Sequence, residues 1–307
     1  MALTVVGSIA FDSVRTPFGE RERMLGGTAV HFALAARFFT EVRPVGPVGS
    51  DFGERELAML AKPGVVCEDI ERVDGGETFF WRGHYDFDLN TAHTDETRLN
   101  VFGDFEPKLS AAAIASEMLF LANIQPELQR TVRAQCRDAR FAALDSMNLW
   151  IETAREPLLA AIAEVDCVIV NDAEIRQLTG EPSLARAARA AMERGPQVVV
   201  AKRGEYGAAL FTEDGFFAIP GLPLEDVRDP TGAGDSFAGG FLGFLDGRGG
   251  AIDETGLRQA MGYGTVLASF NVEEFGTERV QRLTREEIDA RMSELHRMTQ
   301  FEWLGAQ

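Results

Sequence analysis

The chain has 307 residues, 45% of them hydrophobic and 25% charged, with a formal net charge of −18. These proportions suit one large α/β domain, or one domain with an appendage, and argue against wholesale disorder. No basic run offsets the acid excess, which argues against a surface for nucleic acid or anionic membrane.

Leu3–Ile9 (LTVVGSI) is an apolar run ending at a Gly-Ser turn, the pattern of a buried strand in a parallel sheet. It has no positively charged region ahead of it and Asp12 closes it early, so a first strand is expected rather than a signal peptide. Ser13–Leu25, with a Pro-Phe-Gly turn, reads as a hairpin, and GGTAVHFALAARFF reads as a helix entered through Gly26-Gly27. Glu77–Leu99 breaks that rhythm: Tyr85, Phe87 and Leu89 alternate with His84, Asp86 and Asp88, the pattern of a half-exposed antiparallel strand. The hairpin and this segment, about residues 13–25 and 77–101, are expected to form a small β lid on a single domain spanning 1–307. The lid aromatics Phe79, Phe80, Trp81 and Tyr85 can stack on a ligand or cover core or a second subunit.

Four more apolar runs follow, MLFLAN, FAALDS, CVIVND and QVVVAK, among amphipathic stretches at Pro126–Arg137, Ile151–Glu164 and Leu184–Arg194. The final third adds GAALF and GFFAIP as strands and helices from about Asp235, Glu254 and Thr284. Strand alternating with helix predicts a doubly wound, mostly parallel sheet with helices on both faces.

Cys67, Cys136 and Cys167 are widely spaced and odd in number, as in a cytosolic protein with reduced thiols, so a cytoplasmic location is expected. His31, His84, His93 and His296 make no zinc-type spacing, and no run has the length of a membrane span.

Ligands of a doubly wound sheet bind beyond the carboxyl ends of its strands. Asp12, Asn123, Asp145, Asn171 and Lys202 each follow or end an apolar run. Helix capping explains any one of them; five together point to a site. The stretch RDPTGAGDSFAGGF is more specific. Gly232, Ala233 and Gly234 can present backbone N–H groups at a helix entrance, which suits phosphate oxygens or a developing phosphoryl transition state. A carboxylate beside a phosphate needs a separate task, and Asp235 fits a general base that takes a proton from an attacking hydroxyl. A capped turn with Asp235 near the N-cap is the plainer alternative, which leaves the glycines unexplained. Gly239, Gly240 and Gly243 are expected to let this helix pack closely on the sheet.

With these residues the chain resembles the ribokinase/PfkB family of carbohydrate and nucleoside kinases, through DPTGAGDSFAGGF, Gly26-Gly27 before a helix, NDAE at 171–174 and KRGEYG at 202–207. The resemblance spans nearly the whole chain. It implies ATP-dependent phosphorylation of a hydroxyl, expected to be a hydroxymethyl group, on a sugar or sugar-like molecule, with a nucleoside as the alternative acceptor. A nucleotide-binding protein with weak catalysis is the alternative of another class. The resemblance also implies Asp235 as base, the 232–234 amides as anion hole, and Asn171 and Glu174 organising Mg²⁺ through water. Capping of the next helix by Asn171 and Asp172 is compatible with the same positions. Lys202, Gly204, Gly207 and Thr231 would lie near the nucleotide, Asn271 in the adenine pocket, and Asp229 at a possible K⁺ site. Asp12, Gly26 and Gly27 would meet the acceptor, with His31 as a further candidate; Asn123 and Asn148 are candidates for hydroxyl recognition from strand-end position alone. His31 stands where ribokinases carry Asn, and a buried core histidine is its plainer reading. A homodimer through the lid completes the expectation.

Overall fold

The apolar runs of the sequence become neighbouring strands of one nine-stranded sheet in a computed structural model that describes residues 2–302. In chain order its strands are β1 (Ala2–Val6), β4 (Glu41–Gly49), β5 (Ile70–Val73), β8 (Met118–Leu121), β9 (Phe141–Leu144), β10 (Cys167–Asn171), β11 (Val198–Lys202), β12 (Ala208–Thr212) and β13 (Gly215–Ile219). Their spatial order is β13-β12-β11-β10-β9-β8-β1-β4-β5, parallel except at β12 and β13, which are the antiparallel end of the sheet. A second sheet of four strands, β3-β2-β6-β7, is the lid: β2 (Ala10–Thr16), β3 (Gly19–Gly26), β6 (Phe79–Tyr85) and β7 (Ala92–Arg98).

The inner strands read as continuous apolar runs because both of their faces are covered. Met118, Phe120, Cys167, Ile169, Val198 and Val200 point into one apolar layer, and their alternating neighbours Leu119, Leu121, Val168, Val170, Val199 and Ala201 into the other. The first layer holds helices α1 (Thr28–Ala36), α9 (Ala233–Arg248), α10 (Glu254–Asn271) and α12 (Arg285–Thr299), with α2 (Glu54–Leu60) and α11 (Glu278–Gln281) at its margin. The second holds α3 (Ala111–Ile114), α4 (Pro126–Gln135), α5 (Asn148–Thr153), α6 (Arg155–Ile162), α7 (Asp172–Thr179) and α8 (Leu184–Met192). No helix among the described residues is long and apolar enough to cross a membrane. Cys67, Cys136 and Cys167 are all free thiols.

Four details differ from the expectation. Asp12 does not end the first strand; β1 stops at Val6, and Asp12 lies in the middle of β2 in the lid. The lid is not wholly antiparallel, because its two hairpins join through a parallel β2–β6 pairing in which Asp12 lies opposite Trp81. The glycines of α9 face other helices more than the sheet. A Cβ on Gly239 would lie 2.4 Å from the Phe32 carbonyl of α1, and one on Gly240 would lie 2.8 Å from the Tyr263 carbonyl of α10. Strand β4, with Pro44 and Pro47, lies between β1 and β5. Pro44 falls after the bridge from Val42 to Val65 and before the pairing with β5 begins at Gly46, and Pro47 lies beyond the last β1 partner, Val45. Neither proline therefore removes a ladder bond.

The chain builds β1, β4 and β5 on one side, then returns to β8 and proceeds the other way. That reversal places a crevice at the carboxyl ends of β1 and β8, where such sheets bind ligands.

Candidate active site

The entrance to α9 is a left-handed turn. Gly232 is its N-cap, with φ of +75°, and no side chain caps the helix. Asp235 occupies the third helical position and does not act as the N-cap, so the capping alternative is set aside. The Ala233 N–H turns back to the Pro230 carbonyl at 3.2 Å, which removes Ala233 from the expected donor set. The N–H groups of Gly232, Gly234 and Asp235 have no acceptor among the described residues, so Asp235 takes the place of Ala233 in the set of free donors. The Lys202 ammonium lies beside them: a Cβ on Gly234 would be 2.9 Å from its Nζ. Free donors, a helix N-terminus and an ammonium converge on one spot suited to an anion.

The turn is held from beneath by a buried network. Asp229, fully buried, accepts from Thr231 N–H and from Gly276 N–H, each at 2.9 Å. Both of its oxygens thus serve the loop. Asn271 is also fully buried, at the end of α10, where it holds the turn. Its Nδ2 donates to the Thr231 carbonyl at 2.7 Å, and its Oδ1 accepts from Ser236 Oγ at 3.0 Å. His31 Nδ1 lies 2.9 Å from the same Oδ1 and must donate to it, so the proton sits on Nδ1 and Nε2 is a bare acceptor. Burial pushes the His31 pKa down to about 4 and keeps the ring neutral. The ring lies under Gly232, where a Cβ would come within 2.3 Å of Nδ1. His31 is therefore both a buried histidine and part of the support of the site.

At the carboxyl ends of β9, β10 and β11, Asp145, Asn171 and Lys202 come together. Lys202 Nζ is 3.3 Å from Asp145 Oδ2. Burial opposes the Lys202 charge, but Asp145, Glu174 and Asp235 outweigh it and hold its pKa above the ordinary value. Asn171 and Glu174 form a reciprocal cap of α7: each side chain accepts the other's backbone N–H at 2.7 Å. Burial, then the nearby Asp145 charge, raise the Glu174 pKa to about 7, against the pull of Lys202. Burial raises Asp235 to about 7 as well, with Asp145 and Glu174 adding to the shift and Lys202 opposing it. Three carboxyls around one ammonium make a site short of positive charge. An Mg²⁺ ion with its waters fits that deficit, since it keeps several waters and needs few protein oxygens. No group of three or more ligating side chains suited to a dedicated metal cage occurs among the described residues.

Across the crevice, Asp12 meets Gly26-Gly27 as expected. The Gly27 N–H donates to Asp12 Oδ2 at 3.3 Å, and a Cβ on Gly26 would sit 1.9 Å from that oxygen. Burial raises Asp12 to about 7; the Gly27 N–H opposes this, and Asp229 and Asp235 add to it. Tyr85 of β6 closes the space, its hydroxyl 3.2 Å from Thr231 Oγ1.

Other expected residues lie apart from this cluster. Asn123 is tied to α5, accepting from Trp150 Nε1 at 2.9 Å and donating to Met147 Sδ at 3.1 Å, while Asn148 is exposed at the start of that helix. Gly204 and Gly207 shape the turn after β11, where a Cβ on Gly207 would meet the Ile219 carbonyl at 2.0 Å. Ser236, absent from the expected set, follows Asp235 as a lone hydroxyl inside an apolar helix. That placement was the available signal.

A helix entrance with free N–H groups beside an ammonium, facing a buried carboxylate under a β lid, is an arrangement suited to phosphoryl transfer. The sequence model of the pfkB family carbohydrate kinases matches residues 4–282, and the chain belongs to that family. It is 29% identical over 254 residues to a cytidine kinase of Thermococcus kodakarensis, covering 80% of this chain and 89% of that protein. It is 27% identical over 298 residues to a nucleoside kinase of Methanothermobacter thermautotrophicus, covering 90% and 91%. Among solved structures, a Burkholderia thailandensis nucleoside kinase in complex with inosine superposes with a TM-score of 0.78 at 23% identity, covering 95% of this chain and 97% of that one. An Arabidopsis thaliana ribokinase complexed with ribose and ATP gives 0.76 at 20% identity, covering 95% and 99%. The protein is a ribokinase-like, ATP-dependent phosphotransferase acting on a hydroxyl of a sugar or nucleoside.

Proposed function

We propose that the chain transfers the γ-phosphoryl group of ATP to a hydroxymethyl group on the sugar ring of its acceptor, free or within a nucleoside, with Asp235 as general base. The observation that carries this is the position of Asp235 at the third residue of α9, beside the free N–H groups of Gly232 and Gly234. Asp12 accepts acceptor hydroxyls and orients the ring. The hydroxymethyl oxygen attacks the γ-phosphorus as its proton passes to Asp235; the bond from that phosphorus to the β–γ bridging oxygen breaks, and ADP leaves. The amides of Gly232, Gly234 and Asp235 and the Lys202 ammonium stabilise the charge on the transferring group. Mg²⁺, held through water by Glu174 and Asn171, supplies charge neutralisation of the ATP phosphates when bound. Tyr85 and the lid exclude water.

The test is product analysis: the acceptor should gain one phosphoryl group at its hydroxymethyl carbon, seen by phosphorus NMR. A phosphate found on a ring hydroxyl contradicts the assignment.

The pH dependence has a definite sign. Asp235 must be unprotonated to accept a proton, and burial holds its pKa at about 7. The value of kcat/KM for the acceptor should therefore fall as pH drops through about 7 and level off above it. A profile without this acid limb removes Asp235 as the base.

On the family pattern and the alternating lid residues Tyr85, Phe87 and Leu89, the chain forms a homodimer through the lid strands. Sedimentation at micromolar concentration should give a dimer, and a monomer throughout that range contradicts it.

A further inference from the structure

Parallel pairing of β2 with β6 places Asp12 directly opposite Trp81, on the lid face that looks into the crevice. The four lid aromatics have separate surroundings. Phe79 packs on Phe102, with ring centroids 5.3 Å apart. Phe80 is on the other face, beneath Arg82 and Arg98. Tyr85 meets Thr231 through its hydroxyl. Trp81 alone of the four lies flat along the crevice face. Its Nε1–H donates to Thr94 Oγ1 at 3.1 Å, and its six-membered ring covers Gly83, where a Cβ would come within 2.3 Å of the ring. One indole face therefore rests on the sheet while the side chain stays half-buried. Gly83 makes this possible, because a Cβ there would meet both the indole and, at 2.7 Å, the His93 carbonyl of β7.

Adjacent strands are about 4.8 Å apart, so the platform begins one strand away from the carboxylate that accepts sugar hydroxyls. The crevice-facing residues around Trp81 on β7 are Thr94 and Thr97, and the Thr94 hydroxyl is already engaged by the indole. That surface has a broad apolar ring and few groups for further hydroxyls. It suits a flat aromatic substituent better than a second sugar.

Resting on the reading of this crevice as the acceptor site of a kinase, we infer that Trp81 is a stacking platform for a nucleobase and that the acceptor is a nucleoside. Asp12 holds the ribose hydroxyls while the base lies on the indole. Trp81 acts as a specificity determinant, since a free pentose or hexose leaves the platform uncovered.

The test is steady-state kinetics with ATP and Mg²⁺ on cytidine, uridine, adenosine, inosine, ribose and fructose. At least one nucleoside should exceed both free sugars in kcat/KM. Trp81→Ala should raise the KM of that nucleoside by roughly 5- to 150-fold, as expected for loss of one base–aromatic stack, with a much smaller change in kcat. Trp81→Phe should recover part of the loss. Quenching of tryptophan emission by the nucleoside should vanish in Trp81→Phe. Equal or better use of a free sugar overturns the inference and leaves the kinase reading intact, as does an unchanged nucleoside KM in Trp81→Ala. Absence of phosphorylation of every compound removes the kinase reading and this inference together.

Discussion

Asp235→Asn should lower kcat by at least about 10²-fold while ATP binding survives, the loss expected when a general base is removed. The amide keeps the size and shape of the carboxylate at the third position of α9, so the helix entrance and its free N–H groups persist. It cannot accept the acceptor proton. It also removes one negative charge from a cluster in which Asp145, Glu174 and Asp235 share a single ammonium, Lys202. Nucleotide phosphates should therefore bind at least as well to the variant, and ATP should still raise its melting temperature. Loss of turnover together with retained binding is the specific signature. Near-normal turnover would remove Asp235 from the base role.

The second large effect is expected at Gly232, for a geometric reason. Its φ of +75° is a conformation in which an L-residue is strained, and its Cα rests on the His31 imidazole, with 2.3 Å between an added Cβ and Nδ1. The imidazole cannot recede freely, because Nδ1 is hydrogen-bonded to Asn271, which in turn holds the Thr231 carbonyl and Ser236. Gly232→Ala must move either the turn or this network, and either shift displaces the donors around the phosphoryl group. Losing one such donor costs about 10²–10³ in kcat, so a decrease of that order is expected, with a lower melting temperature. Wild-type kcat in Gly232→Ala would show that the turn does not form the anion hole.

Much of this site was legible in the sequence because its chemistry is local. Gly232, Gly234 and Asp235 are neighbours in the chain, and their meaning follows from a helix entrance alone. Lys202 and Asn171 were placed by ending apolar runs, since a parallel sheet aligns the ends of its strands, and these two residues are in fact opposite each other. What the sequence could not convey was longer in range. Asn271 lies 240 residues from His31 and meets it only because α10 and α1 both pack on α9, so its part in holding the turn was not legible in the sequence. Asn123 follows an apolar run much as Asn171 does, yet it lies two residues beyond β8 and Trp150 captures its side chain. Asp12 was assigned to the end of the first run, yet it lies within β2, because Gly7 and Ser8 divide one apolar run into two strands of different sheets. Strand β4 was hidden by Pro44 and Pro47, whose tolerance depends on where its neighbours begin and end.

The Ala233 amide shows how finely such a turn divides its donors. Three consecutive small residues resemble three equivalent N–H groups, yet the left-handed Gly232 directs the second of them back to Pro230 and leaves the first and third free. Only the backbone path decides which amides face the ligand.

The most direct measurement is acceptor-dependent ADP release with Mg²⁺ and ATP, made side by side on the wild-type chain and Asp235→Asn across sugars and nucleosides. The account predicts turnover by the wild type that requires an acceptor and falls at least about 10²-fold in the variant, while ATP stabilises both proteins. Acceptor-dependent turnover of equal rate in the two proteins would contradict it.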